Sequence, residues 1–209
     1  MTRRSLVVGA AASGSMLAIA LSLRSLSARA RAAPEQRAVT PAPGSIYALG
    51  SLWTSDLGAR FRLQQLAGAY VVVALIFTRC PSVCPTLVRQ LRAAAQRMPE
   101  AVRSQARFAL FSIDPEHDSV AALHAYREQH GLDVDHFTLA RAEADAVREL
   151  GATLGFGFST EPGSLPTHSK LVTLLDRAGR VVLQRADLGA DPDLMQRAIQ
   201  SALGAEGAR

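Results

Sequence analysis

The chain has 209 residues, 48% of them apolar, and a formal charge of +5, which is length and apolar content enough for one sizeable core and one domain. That charge is local: Arg3, Arg4, Arg24, Arg29 and Arg31 precede Pro34 with no acidic residue among them, so with those five set aside the +5 falls to zero for residues 34–209. A neutral folded part has no electrostatic motive for binding nucleic acid, and that class of partner is excluded.

The first 33 residues have the makeup of an export segment. Arg3-Arg4 precede an uncharged, mostly apolar run over residues 5–23, followed by overlapping Ala-x-Ala sites at residues 28–33. Paired arginines before a weakly apolar run resemble a twin-arginine signal. The competing reading is a retained membrane anchor, since the run approaches the roughly 20 residues that span a bilayer. Gly9, Ser13, Gly14, Ser15 and Ser22 weaken that reading, and Arg24, Arg29 and Arg31 spoil the charge asymmetry of an N-inside anchor. Either way the domain is expected outside the cytoplasm, in the periplasm or at the outer face of the inner membrane, where a dithiol can be oxidised.

Residues 34–45, with Pro34, Pro41, Pro43 and Gly44, form a linker into a domain expected over 46–205. Residues 52–63 predict a hairpin turning near Asp56-Leu57-Gly58. The apolar run 70–77 suits a strand buried on both faces. Leu87, Val88, Leu91 and Ala95 recur at helical spacing, with Pro99 closing that helix. A second strand over 107–113 is broken by Asp114-Pro115, and Asp118 or Ser119 caps a helix running to about Gln129. A short strand over 137–139 and a helix over about 142–154 come next. Residues 155–166, rich in Gly, Pro and Ser, read as a loop. Strands over 170–175 and 180–184 flank the hairpin signal Asp176-Arg177-Ala178-Gly179. Asp191-Pro192 opens a last helix to about Leu203. This alternation argues an α/β fold, a central sheet with helices on its faces and a hairpin at the N-terminal end.

Chemistry concentrates at the only two cysteines, in Thr78-Arg79-Cys80-Pro81-Ser82-Val83-Cys84-Pro85, between an expected strand and an expected helix. Pro85 has no amide hydrogen and biases Cys84 away from the α region, so Cys84 is expected as the helix cap with Pro85 opening the helix. Thiols near a helix N-terminus are shifted toward thiolate, which serves a redox nucleophile and a soft-metal ligand equally. His168, where the Pro-containing loop meets a strand, would complete a Cys₂His set suited to Cu(I); Zn²⁺ would normally want a fourth ligand. Asp114 is a candidate to support the site from behind, with a plain turn role as the alternative. His124 and His130 read as solvent-facing, His136 is unassigned, and Met98 and Met195 read as core or surface. A peroxidase is a third reading, from Thr78 two residues before Cys80 and Arg79 beside it.

These segments resemble the SCO/SenC copper proteins of the thioredoxin superfamily. The resemblance is carried by residues 61–68 and 73–85, by Phe111-Ser112-Ile113-Asp114-Pro115-Glu116-His117-Asp118, and by His168-Ser169 with residues 174–179. It implies a thioredoxin-like fold, with copper, as Cu(I) or Cu(II), bound by Cys80, Cys84 and His168. It also implies a role in assembling the binuclear copper site of cytochrome c oxidase, as copper donor, thiol reductant or both. The partners implied are the apo copper-site subunit or another cuproprotein, and a thiol reductant acting on the Cys80/Cys84 pair, which forms a disulfide when oxidised. A general envelope thiol–disulfide reductase is the alternative, with Cys80, nearer the preceding strand and the more exposed, attacking a disulfide and Cys84 resolving it. Thr167 stands where the family often has Asp, His117 where Arg is common, and Ala69 where Lys often follows the glycine.

Overall fold

The computed structural model describes residues 44–159, 167–168, 170–186, 188, 191 and 193–207. The expected export segment over 1–33, most of the linker, and Pro192 lie outside the described residues. Among the described residues, no helix is long and apolar enough to cross a membrane.

Among the described residues, seven strands form one mixed sheet, in the order β2 (Arg60–Arg62), β1 (Leu52–Ser55), β5 (Phe137–Arg141), β4 (Ala106–Ser112), β3 (Tyr70–Ile76), β8 (Val172–Leu175), β9 (Val181–Arg185). Its centre is parallel: β3 (Tyr70–Ile76) and β5 (Phe137–Arg141) flank β4 (Ala106–Ser112). All seven residues of β3 are buried, as a strand covered on both faces requires, and this is why the sequence shows an unbroken apolar run there. The N-terminal hairpin, β1 (Leu52–Ser55) and β2 (Arg60–Arg62), joins antiparallel to β5. Its turn carries Gly58 at φ +80°, a conformation that costs glycine little. On the other side β8 (Val172–Leu175) pairs antiparallel with β3, and β9 (Val181–Arg185) forms the edge.

Helices α1 (Val83–Arg97) and α2 (Glu100–Arg103) connect β3 to β4, and α3 (Val120–His130) connects β4 to β5. Helix α4 (Ala144–Thr153) leads from β5 into a two-stranded ribbon of β6 (Phe158–Ser159) and β7 (Thr167–His168), and α5 (Leu194–Gly207) ends the domain. The thioredoxin-like α/β expectation holds. Three local features differ from the sequence reading. Pro99 caps a short extra helix, α2, beyond closing α1. Part of the expected loop 155–166 is strand β6. The last helix begins at Leu194, two residues after Pro192.

One buried ion pair ties the hairpin to the parallel core. The Arg127 guanidinium of α3, 2% exposed, donates through Nε to Asp56 Oδ2 at 2.5 Å and through Nη2 to Asp56 Oδ1 at 2.9 Å. Its remaining hydrogens go to the carbonyls of Leu132, Asp133 and Phe137. Every donor of a buried cation is thereby used, the condition under which burying it is tolerated. The aromatic core lies beside it, with Phe108 stacked on Phe137 at 4.7 Å and Trp53 tilted against Phe111 at 4.6 Å.

Candidate metal and redox site

The cysteine motif leaves the carboxyl end of β3 beside the carboxyl end of β4, where the Ile113 amide donates to the Ile76 carbonyl at 2.8 Å. In an open sheet with parallel strands this edge is where ligand sites form. Cys80 lies in the turn between β3 and α1, its amide donating to the Phe77 carbonyl at 3.2 Å. Cys84 does not cap the helix, contrary to the expectation from sequence. Ser82 is the cap, Val83 opens α1, and Cys84 lies inside the first turn. Pro85 is accommodated because first-turn amides have no helical partner, so its missing hydrogen breaks no bond and the pre-proline bias is overridden.

Ser82 makes no side-chain capping bond. The Cys80 sulfur takes that part, accepting the Cys84 amide at 3.3 Å, as a capping oxygen would. This has a direct electrostatic result. Burial alone would push the Cys80 thiol up, but the amides of Cys84, Ser82 and Val83 together with the Cys84 side chain outweigh it and hold the thiol below its ordinary range. Cys84 is fully buried, and that burial outweighs a backbone hydrogen bond at Phe77 and, reinforced by Cys80 and by the charge of Asp118, pushes the thiol up to about 12. The two sulfurs are not joined in a disulfide. The pair is therefore asymmetric, one sulfur 7% exposed and thiolate-prone, the other sealed and protonated.

Two carboxylates brace the motif. Asp118 is fully buried and accepts from the Thr78 amide at 3.2 Å, the Thr78 hydroxyl at 2.5 Å and the Ser112 hydroxyl. It welds the end of β3 to the end of β4, while Ser119 supplies the cap of α3 by accepting from the Ala122 amide at 3.1 Å. Asp114 reaches the motif through its neighbour: Arg79 donates to it from Nε at 3.2 Å and Nη2 at 2.8 Å, and His117 Nδ1 lies 2.7 Å from its other oxygen. Burial raises the Asp114 carboxyl, but His117 and Arg79 outweigh it and hold the group below its ordinary range. The peroxidase reading finds no support in this arrangement, because the Thr78 hydroxyl is committed to Asp118 and Arg79 to Asp114. Asp118 as a brace was missed from sequence, where it read as one of two alternative caps.

His168 is the second residue of β7, paired with Phe158; its side chain lies outside the described residues. The register Val172 to Ala74 brings the chain into β8 from the edge where β3 ends. Lys170, two residues after His168, lines a groove of about 300 Å³ together with Ser82, Val83, Thr86, Leu87 and Gln90 of the cysteine loop and α1. Of the other histidines, His117 meets the motif at Arg79, Nδ1 to Nη2 at 2.8 Å, and the remaining three have other neighbours. His124 is 49% exposed, 3.7 Å from Asp56, and His136 pairs with Asp133. His130 is less exposed than its polar surroundings suggest, its ring packed 4.3 Å from that of Tyr126. Met98 and Met195 are core residues.

Comparison with known proteins places this geometry. A Stutzerimonas stutzeri protein named for copper binding is 30% identical over 123 residues, a stretch covering 57% of this chain and 59% of that one. The chain thus spans less than two thirds of that curated relative. Among solved structures, an electron transfer protein of Aquifex aeolicus superposes with a TM-score of 0.68 at 18% identity, covering 77% of this chain and 94% of its own. The copper-bound ScoI of Arabidopsis thaliana superposes with a TM-score of 0.62 at 21% identity, covering 74% and 96%. The SCO1/SenC family profile matches residues 52–204, most of the chain and all of the dithiol edge, and the protein belongs to the SCO1/SenC family.

Proposed function

We propose that this protein binds copper through the Cys80 and Cys84 thiolates and the His168 imidazole, and passes it in the cell envelope to the binuclear copper site of a cytochrome c oxidase subunit or to another cuproprotein. The observation that carries the reading is the dithiol at the first turn of α1, on the sheet edge toward which the β7–β8 segment leads. Two soft sulfurs and one imidazole suit Cu(I), which accepts three ligands. Copper is cargo in this reading. A loaded Cys₂His site with Cys80 near the surface would hand its ion to an acceptor by stepwise ligand exchange, each incoming thiolate or imidazole replacing one outgoing ligand. The export-like segment over 1–33 supports an envelope location, with a membrane tether as the competing form. Copper-binding relatives support the choice of ion.

The asymmetry of the thiols favours a second reading, thiol–disulfide reduction. Cys80 thiolate would attack a partner disulfide and expel one partner thiolate. Cys84, once deprotonated, would attack the mixed disulfide, releasing the second partner thiol and leaving Cys80 and Cys84 joined. His168→Ala separates the two. Copper binding predicts that this variant loses Cu(I) affinity while its dithiol reduces a glutathione-type disulfide at the wild-type rate. Unchanged Cu(I) affinity in His168→Ala would remove the histidine from the site and leave the reductase reading ahead.

A further inference from the structure

We propose that the groove beside the cysteine loop is a docking site for a short acidic stretch of the partner's chain. Lys170 recognises its carboxylate while the partner's cysteine meets Cys80. The inference rests on the reading above that a partner thiol or disulfide reaches Cys80. The groove holds about 300 Å³, the small end of the range for ligand sites, so it suits a few side chains and not a folded face. Its lining is apolar at buried Leu87 and at Val83, and polar at Ser82, Thr86 and Gln90. Two of these residues join it to the reactive sulfur. Ser82 and Val83 belong to the loop between Cys80 and Cys84, across which the Cys84 amide donates to the Cys80 sulfur at 3.3 Å.

The charge around this groove is of one sign. Lys170, the only lysine of the chain, lines it, is exposed, and makes no ion pair among the described residues. Arg89, also exposed, reaches the rim, its Nη2 donating to the Thr86 hydroxyl at 3.0 Å. Exposed Arg185 adjoins Ala186, another lining residue. None of the described residues lining the groove is acidic, and residues 79–99 contain no Asp or Glu. The unpaired amides at the start of α1 add the positive end of the helix dipole. Residues 34–209 are neutral as a whole, so this is a local excess, placed beside the reactive sulfur. An exposed ion pair contributes little affinity, but complementary charge raises the rate and selectivity of encounter. That is what a partner that arrives, exchanges and leaves requires.

The test uses reduced, metal-free full-length protein and two short synthetic peptides. They are alike except for Glu or Gln beside a single cysteine, which is held as its mixed disulfide with thionitrobenzoate. Cys80 thiolate forms a bond to the peptide sulfur and expels thionitrobenzoate, the better leaving group, whose absorbance gives the rate. At low ionic strength wild type is expected to react about threefold faster with the Glu peptide, about what one exposed ion pair supplies. The ratio is expected to fall toward one in Lys170→Gln and below one in Lys170→Glu, and to shrink in wild type as salt screens it. No preference in wild type overturns the proposal, as does a preference that both variants keep. Equal slowing of the variants toward both peptides also overturns it, since Lys170 would then only support the dithiol. The copper reading fails separately: wild-type protein that keeps the Glu preference but takes up no Cu(I) overturns that reading and leaves the docking site standing.

Discussion

Iodoacetamide at neutral pH should alkylate Cys80 about two orders of magnitude faster than Cys84. With the Cys84 thiol pushed up to about 12, its thiolate fraction at pH 7 is on the order of 10⁻⁵. An ordinary thiol near pKa 8.5 is about 3% thiolate at that pH, and Cys80 is held below the ordinary range by the amides around it. The populations thus differ by at least roughly three orders of magnitude. Intrinsic nucleophilicity rises with pKa, with a Brønsted coefficient of about 0.4–0.5, and returns about one and a half orders to Cys84. Access works in the same direction as population, with Cys80 7% exposed and Cys84 fully buried. The assay is a time course on reduced, metal-free protein with limiting reagent. Trypsin releases both cysteines in one peptide, residues 80–89, whose fragmentation assigns the label. Comparable rates at the two sulfurs, or faster labelling of Cys84, would refute the claim that the Cys80 sulfur is the one cradled by first-turn amides.

Further outcomes follow from the same geometry. Replacing Arg127 with Met strands the buried Asp56 carboxylate and three carbonyls, which costs about 3–5 kcal/mol and lowers the melting temperature by about 6–20 °C; a drop of only a degree or two in a thermal melt would show the pair to be dispensable. Because Cys84 must shed a proton that it holds up to about pH 12, apparent Cu(I) affinity should rise about tenfold per pH unit above neutrality, whereas a flat profile against a pH-corrected chelator would remove Cys84 as a ligand. Asp114 is depressed in the folded state, so it contributes stability above its unfolded pKa of about 3.9 and loses that contribution as pH falls through its folded value. Asp114→Asn should accordingly flatten the acid limb of the stability–pH curve below about pH 4, and an unchanged limb would show that its pairing with Arg79 and His117 contributes nothing.

Much of this architecture was legible in the chain because burial writes itself into periodicity. The unbroken apolar run of β3, the spacing of Leu87, Val88, Leu91 and Ala95 in α1, and the Asp-Arg-Ala-Gly turn before β9 each reflect a single local constraint. The start of α1 was misplaced because the pre-proline bias at Cys84 is local, whereas the outcome depends on Cys80 folding back to accept the Cys84 amide. The Asp118 brace and the Arg127–Asp56 pair were invisible for a related reason. Their partners lie 40 and 71 residues away in the chain, and an aspartate before a helix reads as a cap whether or not it is buried. At the site, the order of the motif marked Cys80 as the more exposed, attacking thiol, but not how far the two differ, which depends on the first-turn amides gathered at the Cys80 sulfur and on the burial of Cys84. Asp114 was singled out from sequence, and the structure supplies its route to the motif through Arg79.

The most direct test of copper handling is a Cu(I) titration of reduced full-length protein, with bound metal counted after removal of excess. About one copper per chain is expected, lost in both Cys80→Ala and Cys84→Ala and weakened in His168→Ala. Near-stoichiometric binding that survives both cysteine replacements would contradict it.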